Sequence, residues 1–328
     1  MEIEPFAVVF GTAVFALLGA WIYFRRYQLP RVPIGVMNLA DIAVMVVAVV
    51  ALPFLYLVLP IWLVGAFLFL TALSVLHALF QPAFQARWMV WLVALTLLLL
   101  DCLAAYRMGT AQNVFFAIND LVLILLTVGI SNLWAQSGAK ARDMALLGMA
   151  LAIYDYLATA RSPLMTTLID RLATLPLAPV IAWTSGGATL SIGLGDLLLA
   201  TVFPLVLRKA YGRTAGLIAL ALALCLIGVL LAFPSRTGFP VMLVLGPLTA
   251  VQYILSRWRR GPERTTKRYL LEETIHSSDK RRMRMRLTVF GRNRQAFPPV
   301  KWPVPPGVAS PTKAHLGRPI RRHRSHGG

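Results

Sequence analysis

Nine runs of apolar residues, each near the length needed to cross a bilayer, set the main constraint on this chain. Such a span must be helical, because every backbone polar group in hydrocarbon must be satisfied within its own segment. At 1.5 Å per residue it needs about 20 apolar residues to cross about 30 Å. The runs fall near 6–24, 37–58, 61–80, 88–106, 114–134, 143–161, 186–207, 214–233 and 239–257. Charged residues make up only 14% of the chain, against about 25% in soluble domains. The expected fold is all-α: a polytopic membrane protein with nine transmembrane helices.

Charge placement sets the expected orientation. The opening "MEIEPF" is acidic, and Arg25 and Arg26 follow the first apolar run, so that run reads as a retained span rather than a cleaved signal. With the N-terminus outside, the cytoplasmic side receives Arg25, Arg26, Arg31, Arg87, Lys140, Arg142, Arg208, Lys209, Arg213 and the tail. The outside receives only Arg107, Arg161, Arg171 and Arg236, which satisfies the positive-inside rule. The net charge of +19 is concentrated after residue 257, in segments such as "DKRRMRMRLTVFGRNR". The expected organisation is a five-span bundle over 1–142, a four-span region over 143–257, and a basic cytoplasmic tail over 258–328, disordered by composition. Such a tail attracts anionic lipid headgroups, at about 1 kcal/mol per near-surface Lys or Arg. No nucleic-acid-binding motif accompanies it. The preference for arginine over lysine, with heavy use of alanine and leucine, points to a prokaryotic plasma membrane.

The two cysteines, Cys102 and Cys225, sit inside apolar runs and imply neither a disulfide framework nor a metal site. The segment "RSPLMTTLIDRLATLPLAPVIAWTSGG" between the sixth and seventh runs reads as an external connector with a short interfacial helix.

Ionisable groups at span depth are Asp41, His77, Asp101, Asp120, Asp155 and Asp196. A carboxylate there costs roughly 3 kcal/mol on insertion scales, so each needs a reason. Asp41 and His77 lie near cytoplasmic ends and read as structural. Asp101 and Asp120 read as hydrogen-bonding groups between neighbouring spans. Asp155, in "AIYDYLATA", and Asp196, in "SIGLGDLLLATVFP", differ. At 1.5 Å per residue both lie roughly 10–15 Å from the outer ends of antiparallel spans, hence at one depth.

Two carboxyl groups at one depth share a proton and titrate together. The ionised member takes a proton from water while the neutral one polarises a carbonyl, which is peptide hydrolysis without a metal or cofactor. Water must then reach the pair through a polar cavity. Gly193 and Gly195 leave bare backbone beside Asp196, where an unwound, extended peptide can approach or pair. Close helix packing is the simpler use of such glycines.

The "YD" at Tyr154–Asp155 and the "GLGD" at Gly193, Leu194, Gly195 and Asp196 resemble the paired motifs of presenilin and signal peptide peptidase, a family of intramembrane aspartyl proteases. That resemblance implies nine spans, with Asp155 and Asp196 as catalytic residues on the sixth and seventh. The family's third motif, Pro-Ala-Leu, shapes its active site at the start of the ninth span. The similar segment here is "GFPVMLVLGP", with Pro240, Val241 and Met242 in those places and Pro247 as the alternative counterpart. The resemblance covers residues 143–257; the first five spans match in number only. "GxGD" alone also occurs in prepilin peptidases. The N-out charge pattern resembles the signal peptide peptidase branch, which implies substrates that are single transmembrane helices with cytoplasmic N-termini, such as remnant signal peptides. The competing readings are a proton-coupled transporter using the same aspartates as a relay, a scaffold working through its basic tail, and a prepilin-peptidase-type enzyme.

Overall fold

A computed structural model of the chain describes residues 3–29, 39–160, 162, 164–186, 188–233 and 241–264. Pro240, Arg31, Arg161, Arg236 and the tail from residue 265 onward lie outside the described residues. Residues Met1–Glu272 form one compact unit. In chain order the elements are α1 (Ile3–Arg26), α2 (Leu39–Val58), α3 (Ile61–Phe80), α4 (Arg87–Met108), α5 (Asn113–Gln136), α6 (Ala141–Asp155), a π-helical turn (Tyr156–Ala160) and α7 (Leu164–Leu172). The strands β1 (Val180–Ser185) and β2 (Ala188–Gly193) follow, then α8 (Leu194–Tyr211), α9 (Arg213–Ala232) and α10 (Met242–Arg260).

Six of these helices are long and apolar enough to cross a membrane: α1, α2, α3, α4, α5 and α9. A seventh arises if α6 and α7, bent by 89° at their break, count as one span. Each of the other two apolar runs also holds a helix, but a shorter one with more charge. α8 has 18 residues and includes Asp196, Arg208 and Lys209; α10 has 19 and ends in Arg257, Arg259 and Arg260. The outward faces carry large apolar side chains such as Phe15, Val44, Trp62 and Leu70. A soluble protein hides such groups, and a bilayer solvates them. The architecture is that of a helical, multi-pass membrane protein.

One expectation needs correction. The seventh run does not form a helix over 186–207: its first part is β2, which pairs antiparallel with β1 from Val180↔Gly193 to Ser185↔Ala188. The sequence explains this. "VIAWTS" and "ATLSIG" are rich in β-branched and aromatic residues and flank a glycine turn, where Gly186 adopts φ 56°. The short helix expected in the same connector is present as α7.

α8 forms the hub. From Leu197 to Tyr211 every side chain except those of Leu198 and Arg208 is buried, as expected of a helix surrounded by protein. α1, α5 and α9 pack around it in one continuous core, with members such as Leu17, Leu123, Phe203 and Ile227. α3, α4, α6 and α10 add Leu76, Leu98, Met144 and Leu245 to the same core. α6 and α10 meet through small residues. A Cβ on Gly148 would lie 2.7 Å from Thr249 Oγ1, and one on Gly246 would lie 2.8 Å from Ala152 Cβ. Only glycine permits that approach, the close-packing device of helices in lipid.

Candidate active site

Asp155 is the last residue of α6, where the chain passes into the π-helical turn. π turns interrupt regular helices and recur at functional sites. Inside this turn the Thr159 hydroxyl donates to Asp155 Oδ1 at 3.0 Å. The other oxygen, Oδ2, accepts the backbone N–H of Met242 at 3.2 Å. Met242 is the first residue of α10, so its N–H is one of the donors that a helix start leaves unpaired. The positive end of α10 thus faces the Asp155 carboxyl.

Asp196 reaches the same place from α8. Gly193 is the N-cap of α8, which puts Asp196 at the third helical position. An acidic side chain there folds back onto the N-cap amide, the reciprocal half of a capping box. Asp196 folds back in this sense, its carboxyl lying against Gly193. A Cβ built on Gly193 would lie 3.0 Å from Asp196 Oδ2, so the glycine leaves room for the folded-back carboxyl. A Cβ on Gly195 would meet only Met242 Cε, at 4.0 Å. Neither glycine has a positive φ, so their use here is space and not left-handed backbone.

Met242 therefore links the two halves: its N–H bonds Asp155, and its side chain lies beside Gly195, next to Asp196. Tyr154 stands next to Asp155 with a buried phenol oxygen that has no hydrogen-bond partner among the described residues. Leu194 seals the helix start, donating its N–H to Pro179 O at 2.9 Å while packing on the core. Val241 is the helical N-cap of α10. Pro247 sits inside α10, beyond Met242. Among the described residues, the segment that touches Asp155 is the one that follows Pro240.

The hairpin β1–β2 leads directly into this site. The bond from Leu194 N–H to Pro179 O marks Val180↔Gly193 as a non-hydrogen-bonded pair. By the alternation of the ladder, the backbone groups of Thr189, Ser191 and Gly193 point away from β1, along the outer edge of β2. The outer edge of β1 is already occupied by side chains of α5. Asn113 donates to Thr184 O at 2.8 Å and accepts its N–H at 3.1 Å. Asn119 donates to Ala178 O and Val180 O, and Asp120 accepts the Ala182 N–H at 3.4 Å. Three polar side chains of a helix thus stand in for a third strand, leaving β2 as the open edge.

The remaining polar residues have plainer places. Asp101 accepts the N–H of Leu177 at 2.7 Å, at the left-handed turn (φ 59°) before β1. Asp101 and Asp120 thus hold connector and hairpin backbone, where the expectation had them bonding between neighbouring spans. His77 stacks on Trp91 with ring centroids 4.4 Å apart, and Asp41 lies in the first turn of α2. Cys102 and Cys225 are free thiols on α4 and α9. Among the described residues no three of His, Cys, Asp or Glu converge as a metal site would require. Sequence reasoning missed Thr159, Asn113 and Asn119. For Asn113 a signal existed: Asn113 and Asp120 are seven apart on α5, hence on one face.

No family model matches the chain, and a search of curated proteins finds no match.

Proposed function

We propose that the chain is an intramembrane aspartyl endopeptidase that hydrolyses peptide bonds within transmembrane segments. The observation that carries this reading is the joining of Asp155 and Asp196 through Met242, at the mutual start of α8 and α10 and the end of α6. In the proposed step the ionised carboxyl takes a proton from water, whose oxygen adds to the scissile carbonyl carbon. The neutral carboxyl gives its proton to the carbonyl oxygen, producing a neutral tetrahedral diol. The carboxyl protonated by water then gives that proton to the amide nitrogen, while a diol hydroxyl returns its proton to the other carboxylate. The C–N bond breaks, carboxylic acid and amine are released, and the pair regains its starting charge.

The open edge of β2 supplies a way to hold the substrate. A peptide unwound from its helix has unpaired N–H and C=O groups, costly in a dry setting. Pairing along Thr189 and Ser191 satisfies them and delivers the next peptide bond to Asp196. On this reading Pro240, Val241 and Met242 form the shaping segment and Tyr154 flanks the substrate. The substrates are single transmembrane helices with cytoplasmic N-termini, taken from the surrounding bilayer. The chain would sit N-out and C-in in a prokaryotic plasma membrane, with its nine helical runs as spans and its basic tail on anionic headgroups.

The test is cleavage of a model transmembrane peptide by the reconstituted chain, with the cut located by product mass. Ser191→Pro removes one outward N–H without touching the β1 ladder, a position where strands tolerate proline. Cleavage at an intramembrane bond that falls steeply in this variant, with unchanged helicity, is the expected result. Full cleavage by Ser191→Pro would remove strand pairing from the account.

A further inference from the structure

At the far end of α10 from Met242, a cavity of about 130 Å³ opens between the last turns of α8 and α10 and the first half of α9. Its apolar wall is formed by Ile218, Leu222 and Leu255, and its polar groups come from Gln252, Arg259 and Arg260. Gln252 is only 8% exposed, and its side-chain oxygen has no hydrogen-bond partner among the described residues. A buried acceptor in that state lowers its free energy when a donor reaches it. Arg260 is held in place by donating to Tyr211 O at 2.6 Å, beside Gly212, which caps the start of α9. The exposed Arg259 adds a second guanidinium at the rim. The lining residues Ile218, Leu222 and Leu255 are also partly open to the outside, a face suited to acyl chains.

We propose that this cavity is a binding site for the headgroup of an anionic phospholipid. The phosphate sits against Arg259 and Arg260, at the positive start of α9. A hydroxyl of the headgroup donates to Gln252 Oε1, and the acyl chains run over Ile218 and Leu222. Phosphatidylglycerol combines a net negative charge with hydroxyl donors; phosphatidylcholine has the same phosphate neutralised by its own quaternary ammonium and has no hydroxyl donor. The apolar wall and mouth favour a lipid over a free phosphate. The site stands apart from Asp155 and Asp196, and its test does not depend on cleavage.

The experiment is native mass spectrometry of the full chain released from micelles doped with phosphatidylglycerol or phosphatidylcholine. The expected result is one phosphatidylglycerol retained per chain with at least about tenfold preference, a difference of about 1.4 kcal/mol. Arg259→Ala, at an exposed position that folding does not need, should abolish the preference, and Gln252→Leu should weaken it. The double variant Arg281→Ala/Arg282→Ala, in the basic tail, should leave it intact. A preference that survives Arg259→Ala, or that disappears only in the tail variant, would overturn the site. Loss of the lipid to excess inorganic phosphate would show an anion site without lipid selectivity, and would overturn it equally.

Discussion

Gly193 and Gly195 look equivalent in "GLGD", yet their surroundings differ. A methyl group on Gly193 would press on the carboxyl of Asp196 at 3.0 Å, whereas one on Gly195 would find ordinary contact at 4.0 Å. Displacing a catalytic group by about 1 Å can cost about 100-fold in rate. Gly193→Ala should therefore cut cleavage by about that factor with little change in thermal unfolding. Gly195→Ala should leave cleavage near normal and stabilise the start of α8, by up to about 1 kcal/mol. Cleavage rates and melting curves of the pair check this; equal losses in both variants would contradict the assigned geometry. At this scale the sequence was informative about chemistry and silent about neighbours. A carboxylate in an apolar run announces itself by its cost, so Asp155 and Asp196 were legible. Thr159 was not, because a threonine in an apolar helix usually bonds its own backbone four residues back, as Thr201 does here.

At the scale of elements, the connector before α8 is where reading and structure diverge most. Over six residues, an apolar run fits a strand as well as the start of a helix. "ATLSIG" was therefore absorbed into the span that follows it. The glycine turn before it and the β-branched residues on both sides were the available signals, and the bend at Gly193 turns strand into helix. The hairpin is held from outside by α5, and this gives a direct test. Asn113→Ala removes both bonds to Thr184, each worth about 0.5–1.5 kcal/mol net. Amide exchange at Thr184 should accelerate while exchange within α8 stays slow. Unchanged exchange at Thr184 would show that the ladder alone holds β1. Cleavage should fall as well, since on the proposed account β1 braces the strand that receives the substrate.

At the scale of the whole molecule, length and apolarity made the helical membrane architecture readable, because about 20 residues are needed to cross hydrocarbon. They did not separate helices that face lipid from one that faces only protein. α8 carries three charged residues in 18 and is buried along most of its length. α10 ends in three arginines, so the apolar criterion alone passes over both. The proposed orientation, N-out and C-in, predicts that a fluorescent protein fused after Gly328 glows and that alkaline phosphatase fused there stays inactive. The reverse pattern would remove the basis for choosing substrates with cytoplasmic N-termini. The central claim is sharper than orientation. The most direct measurement compares cleavage of a model transmembrane peptide in liposomes by the intact chain, Asp155→Asn and Asp196→Asn, with helicity and melting checked for each. The account predicts cleavage by the intact chain and none by either variant, since an amide can neither accept the water proton nor share one. Cleavage that persists in a folded Asp155→Asn or Asp196→Asn chain would contradict it.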